Sequence, residues 1–103
     1  MAGEVVYLKA ERNVEVMEDD VLLKDMAKIY CADNHIAAKI KAIRVHRFSA
    51  EEQKRQVFSI LKLIEMIQQT CPNVTVENLG ETDVLVERVD VDRHKGMVQL
   101  LKI

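Results

Sequence analysis

Glycine, proline, cysteine and tryptophan are scarce: the 103 residues include three glycines, one proline, two cysteines and no tryptophan. Loops that cradle phosphates need several glycines close together, because their backbone N–H groups must approach the anion without side chains in the way. Gly3, Gly80 and Gly96 are too far apart in sequence to form such a loop. A P-loop and a dinucleotide-binding fingerprint are therefore both excluded.

Nucleophiles are also scarce. Ser49 is explained as a helix cap and Ser59 falls inside a predicted helix, so neither suits a serine triad. Cys31 and Cys71 lie forty residues apart with no sign of a secreted scaffold, and we expect both to be reduced, apolar fillers in a cytosol-like compartment. The sequence therefore predicts a protein without catalytic residues.

Two sets of metal-ligating residues occur at alternate positions. They are Cys31, Asp33 and His35, and near the C-terminus Asp90, Asp92 and His94. A structural zinc site needs four ligands, and neither set has a partner set to complete it. We expect neither a metal nor a cofactor.

The charge balance gives no general attraction to nucleic acid, since the formal net charge is -2 and the pI is about 5.9. No apolar run reaches the eighteen residues of a candidate spanning helix, and the N-terminus lacks the basic and apolar regions of a signal peptide. We expect this chain to be soluble, with any membrane contact made by segments beyond Ile103.

Short apolar or alternating segments predict strands at residues 5–8, 13–16, 21–23, 40–45, 74–77 and 84–91, the last with a bulge or break near residues 87–88. The first segment is apolar throughout, so we expect it to be covered on both faces. Residues 24–30 carry Met26, Ala27 and Tyr30 at helical spacing and predict a short helix.

A long helix is predicted over residues 50–70. Ser49 and Glu52 have the spacing of a capping box, and Pro72 follows the end of the periodic pattern. Its core stripe consists of Val57, Ile60, Leu61, Ile64 and Ile67.

The order of elements predicts an α+β protein of two small lobes. Residues 1–39 would form the smaller lobe, with strands and the short helix. Residues 40–103 would form the larger lobe, in which the long helix packs on a small, mostly antiparallel sheet.

A basic segment, Lys39 to Arg47, can meet phosphates or serve as a charged sheet edge. Stacking on single strands needs exposed aromatic rings, and most of the four aromatic residues, Tyr7, Tyr30, Phe48 and Phe58, are expected in the core. The candidate interaction surface consists of the basic side chains and the apolar C-terminal residues, namely Lys39, Lys41, Arg44, Arg47, Met97, Leu100 and Leu101.

Several segments together resemble a known family. They are residues 5–8, 21–29, 57–67, Pro72 and residues 79–86, which include the turn Leu79-Gly80-Glu81. In this order and spacing they resemble the N-terminal domain of the stage V sporulation protein AA family of spore-forming bacteria. The resemblance covers about the first ninety residues and contains no catalytic motif.

The resemblance implies a two-lobed soluble domain followed by membrane-spanning helices, in a complex that moves dipicolinic acid and its calcium chelate into the developing spore and out in germination. The full-length protein would then lie at the inner membrane of the developing spore. This chain departs from the family pattern in that it ends at Ile103.

Two functions follow as hypotheses. The first is a non-enzymatic accessory domain that contacts other subunits of this membrane complex and self-associates weakly at most. The alternative is a small nucleic-acid-binding domain that uses residues 39–47, although we do not expect nucleic acid to be the partner.

Overall fold

The computed structural model describes residues 3–50 and 53–89, which form eight strands and three helices. In chain order these are β1 (Val5–Ala10), β2 (Asn13–Val16), β3 (Asp20–Leu22), α1 (Leu23–Met26), β4 (Ala27–Cys31), α2 (Asn34–Lys41), β5 (Arg44–Arg47), β6 (Arg55–Ser59), α3 (Ile60–Thr70), β7 (Thr75–Asn78) and β8 (Asp83–Arg88). The protein is α+β, as the sequence predicts.

The strands form three small sheets. Sheet A has the order β4-β1-β7, sheet B the order β2-β8-β6, and sheet C consists of β3 and β5. The pairs β1 with β4, β6 with β8 and β3 with β5 are antiparallel, whereas β1 with β7 and β2 with β8 are parallel. Sheets A and B are therefore mixed, and each joins an N-terminal strand to a C-terminal one.

Sheet A carries the helices on one face. Val6, Leu8 and Ala10 of β1 are buried on that face, where α2 packs against β4 and α3 against β7. The alternating exposure of β1 corrects the expectation that this strand is covered on both faces. The other face of sheet A is open because the described helices all lie on the side of Val6, Leu8 and Ala10.

The longest helix is shorter than the sequence predicts. Residues 55–59 form strand β6, and Ser59 caps α3 by accepting a hydrogen bond from the Leu61 backbone N–H at 3.2 Å. The apolar residues of β6 and of α3 fit one helical spacing, which explains why the sequence predicted a single long helix. Ser49 is consequently not the cap of this helix.

The buried stripe of α3 also differs from the predicted one. Ile60, Leu63 and Ile67 are buried, whereas Leu61 is 73% exposed and Ile64 is half-buried. Val57 precedes the helix, and its side chain is 65% exposed on β6. The later start of the helix, at residue 60, does not change which residues share a face. The prediction that Leu61 belongs to the core stripe was therefore wrong, because its side chain lies on the exposed face of α3.

Two further segments change type. Residues 27–31 form β4 and not the end of a helix, because this stretch pairs along its length with β1. Residues 34–41 form α2, where a strand was predicted from residue 40; Asp33 caps this helix by accepting hydrogen bonds from the backbone N–H groups of His35 and Ile36. The predicted lobe boundary at residue 39 falls within α2, and the division into lobes stays a prediction.

The turn after β7 fixes β1 against the later chain. The Asn78 side chain bonds to the backbone of Gly80 and Glu81, and the Glu81 N–H donates to the Ala10 carbonyl at 3.0 Å. A side chain at Gly80 would collide with the backbone of Ala10. Glycine is required here by close approach, since its φ is not positive.

Leu63 and Leu61 provide a direct test of the orientation of α3. Leu63→Ala should lower the free energy of unfolding by about 2–5 kcal/mol, because it leaves a cavity at a fully buried position. Leu61→Ala, the matched control on the exposed side, should change it by less than about 0.5 kcal/mol. Urea unfolding followed by circular dichroism measures both. Equal losses, or a greater loss at Leu61, would contradict the described orientation.

Candidate interaction surfaces

The open side of sheet A forms an aromatic and basic surface, which we call the Tyr/Lys face. It consists of Val5, Tyr7, Lys9, Lys28 and Tyr30. The period-two alternation of β1 and β4 places these side chains opposite the buried ones. The side chains of Tyr7 and Tyr30 are 40% and 64% exposed.

The two tyrosines are cross-strand neighbours. They lie directly opposite each other in the antiparallel register, with ring centroids 6.3 Å apart and ring planes inclined by 33°. This corrects the expectation that most of the aromatic residues belong to the core, although Phe48 is buried and Phe58 is half-buried. Tyrosine is enriched at protein interfaces because it offers a large apolar area with a polar end.

The next row of the Tyr/Lys face contains two like charges. Lys9 and Lys28 are directly opposite each other, an arrangement that destabilises a sheet. None of the ion pairs found in the described residues involves either lysine. With the tyrosines and the 64% exposed Leu79, they line a shallow depression of about 150 Å³. A partner with carboxylates would relieve the repulsion.

The outward side of sheet B has the opposite charge. This surface, the Glu/aliphatic face, consists of Glu15, Arg55, Val57, Leu85 and Glu87. Glu15 and Glu87 are register partners, and only Glu87 has a described cationic partner, Arg55, at 3.4 Å. Val57 and Leu85 are register partners two residues away on their strands.

The sequence-predicted basic residues do not form one free cationic patch. Lys39 and Lys41 are exposed in the last turn of α2, whereas Arg44 and Arg47 lie at the two ends of β5. Both arginines reach Asp20 of β3, at 3.5 Å and 2.8 Å. Two of the four predicted cations therefore already have a carboxylate partner.

The same contacts set the electrostatics of this corner. The hydrogen bond from Arg47, followed by the charges of Arg47 and Arg44, holds the pKa of Asp20 below its ordinary value of 3.8, with desolvation opposing. The pKa of Arg47 is raised in turn by Asp20. The group is exposed, so it tethers β3 to β5 without forming a reactive site.

A different ion pair connects sheet B to the loop before sheet C. Arg88 donates to the Asp19 carboxylate at 3.1 Å and to the Val89 carbonyl at 2.7 Å, and its side chain is only 21% exposed. The Phe48 N–H donates to the backbone carbonyl of the same Asp19. His46 contacts the rings of Phe48 and Phe58, with centroids 4.8 Å and 5.6 Å away.

The remaining candidate residues are the two cysteines, the potential metal ligands and the apolar residues near the C-terminus. Cys31 and Cys71 are free and buried, as predicted. Within residues 3–50 and 53–89, no group of three or more His, Cys, Asp and Glu side chains is arranged to hold a metal ion. The remaining predicted residues, Met97, Leu100 and Leu101 of the surface and Asp90, Asp92 and His94, lie outside the described residues.

The sequence contained a signal for the Tyr/Lys face. In β1 the residues Tyr7 and Lys9 alternate with Val6 and Leu8, and in β4 Lys28 and Tyr30 show the same period of two. The apolar character of residues 5–8 masked the first alternation. The helical spacing of Met26, Ala27 and Tyr30 masked the second.

The described residues form an α+β domain whose two outer sheet faces carry exposed apolar and charged side chains. Residues 3–91 match the family described as Stage V sporulation protein AA. This match covers most of the chain, and the chain therefore belongs to the stage V sporulation protein AA family, as the resemblance implied.

A solved structure supports the fold. The chain is 33% identical to a functionally unknown protein from Eubacterium ventriosum ATCC 27560 whose crystal structure is known, with a TM-score of 0.80. The similarity covers 85% of this chain and 96% of that one. A comparison with curated proteins gives no significant match. In the part of the chain described, no helix has the length and apolar character to cross a membrane.

The titration of Asp20 tests the corner of sheet C. A carboxyl NMR titration should give a midpoint below 3.8, and Arg47→Gln should raise it. Arg44→Gln should raise it less, because its nitrogen is 3.5 Å away and that of Arg47 only 2.8 Å. The lowered pKa of Asp20 stabilises the folded protein at pH values above the pKa that Asp20 has in the unfolded chain. This stabilisation is lost as the pH falls through the pKa of Asp20 in the folded protein. An unshifted Asp20 in the wild type would contradict the pairing.

Proposed function

We propose that this chain is a non-enzymatic accessory domain of a sporulation and germination membrane complex linked to dipicolinic acid transport, acting through protein contacts. Family membership supports the role in sporulation. The observation that carries the contact mechanism is the exposed pair of tyrosines on the open face of sheet A. In the full-length protein, this domain would work at the inner membrane of the developing spore.

Two features favour protein contacts over a nucleic acid track. Exposed tyrosines beside aliphatic side chains provide the apolar centre of a protein interface. Binding of nucleic acid needs several cations to neutralise phosphates, whereas Arg44 and Arg47 are paired with Asp20 and the chain has a net charge of -2. The nucleic-acid alternative therefore remains the weaker proposal.

Site-specific photo-cross-linking of the full-length protein in sporulating cells tests the contact mechanism. A benzophenone amino acid at Tyr30 or Val57 should give cross-links that mass spectrometry identifies as other membrane-complex subunits. Gln69, exposed on α3 and outside both faces, is the matched control and should give far fewer. If neither face position captures a membrane-complex subunit, the proposed mechanism is wrong.

Dipicolinate should bind this chain poorly. A small dianion needs an enclosed pocket with convergent cations, and the depression beside Lys9 and Lys28 is open, at about 150 Å³. Isothermal titration calorimetry should show no micromolar affinity. Micromolar binding that disappears in Lys9→Ala/Lys28→Ala would instead place a ligand site on the Tyr/Lys face.

A further inference from the structure

Each outer sheet face has a row with a pair of like charges beside a row with an apolar pair, and the like-charged pairs of the two faces have opposite sign. The Tyr/Lys face has a pair of like charges, Lys9 and Lys28, next to an apolar pair, Tyr7 and Tyr30. On the Glu/aliphatic face the like charges Glu15 and Glu87 lie on β2 and β8, with Arg55 of β6 in the same row. The apolar pair Leu85 and Val57 lies on β8 and β6, with Asn13 of β2 in its row.

The spacing of the rows agrees as well. On each face the charged row and the apolar row are two residues apart along the strands, which is about 6.6–6.8 Å in any sheet. Within a row, neighbouring strands are about 4.8 Å apart. When Lys9 and Lys28 meet Glu15 and Glu87, the two tyrosines therefore lie over the next row of β2 and β8, which contains Asn13 and Leu85.

On each face, some charged side chains have no ion-pair partner among the described residues. Lys9 and Lys28 have no ion pair among the described residues, and Glu15 has none, whereas Glu87 reaches only Arg55. Like charges directly opposite each other disfavour the sheets that carry them. Bringing the two faces together would replace two repulsions by attractions.

We propose that the Tyr/Lys face of one copy of this chain docks on the Glu/aliphatic face of a second copy. The proposal deepens the proposed function, on which it rests, by naming one partner of the contact surfaces. Since the two faces differ, the contact is heterologous, and copies joined by it add head to tail or close into a ring. The same two faces on each copy suffice for this assembly.

A nucleic acid is a poorer occupant of the Tyr/Lys face. Two lysines neutralise few phosphates, and Glu77 of β7 is the register partner of Tyr7 on the same face. The face therefore has aromatic rings but no continuous cationic track. Glu15 and Glu87 supply one carboxylate for each of its two ammonium groups, and they too are register partners on neighbouring strands.

Charge exchange between the faces tests this proposal. Sedimentation velocity of the 103-residue chain at low salt should show concentration-dependent self-association. Lys9→Glu/Lys28→Glu and, separately, Glu15→Lys/Glu87→Lys should each weaken it by at least about tenfold, since like charges then meet across the contact. An equimolar mixture of the two variants should associate again, because every contact between unlike variants restores opposite charges.

A matched control separates position from total charge. Lys39→Glu/Lys41→Glu makes the same charge change on α2, outside both faces, and should leave self-association unchanged. Tyr7→Ser/Tyr30→Ser keeps all charges and should weaken association. Circular dichroism checks that each variant folds. For a variant that does not fold, glutamine replaces the charged residues, and the expected loss is about fivefold.

Several outcomes of these experiments would overturn the proposal of self-docking. A wild type that stays monomeric at high concentration overturns the proposal, as does a mixture of the two charge variants that fails to associate. Loss of association in the α2 control would move the contact to the basic segment and overturn it too. Cross-linking to other membrane-complex subunits would survive these failures, so the proposed function can stand when self-docking does not. Association of the wild type with a poly-dT oligonucleotide that requires Lys9 and Lys28 would assign the face to nucleic acid instead.

Discussion

The pairing of early strands with late strands is the constraint on which this fold depends. β1 lies between β4 and β7, and β8 lies between β2 and β6, so the centre of each three-stranded sheet joins the two ends of the described chain. Two of these pairings are parallel and need long connections, which the helices and sheet C provide. Burial of the inner side of β1 then positions α2 and α3, and leaves its outer side for contacts.

This constraint also explains the location of the candidate surfaces. Helices cover sheet A on one side only, so the residues of β1 and β4 with the opposite phase are exposed. Tyr7 and Tyr30 lie where a second layer would be expected in a larger domain. An exposed aromatic pair beside two lysines is a surface of the kind that protein interfaces use.

The sequence predicts the strands better than the helices. Period-two segments such as Asn13–Val16 formed strands, and the α+β class follows from their order. The limits of the helices depended on pairing at a distance: residues 55–59 became a strand because β8 pairs with them, and residues 27–31 because β1 does. Neither partner is visible in a local window.

The candidate site, too, could be predicted from the sequence only in part. The positions of Lys39 and Lys41 on an exposed surface could be predicted, but the pairing of Arg44 and Arg47 with Asp20 could not, since the partners are 24 and 27 residues apart. The Tyr/Lys face required two alternations on strands that only the fold brings together. The family could be predicted because the order of the apolar segments and the Leu79-Gly80 turn are visible in the sequence, and residues 3–91 match that family.

The position of β1 in sheet A has a consequence for synthesis on the ribosome. β1 ends at Ala10, whereas its parallel neighbour β7 begins at Thr75. At roughly 5–20 residues per second, one edge of this first strand waits about 3–13 s for its partner to be made. During that interval this edge of β1 has no sheet partner, although β4 can already pair with the other edge. Sheet A is therefore completed only after residues 75–78 have been synthesised.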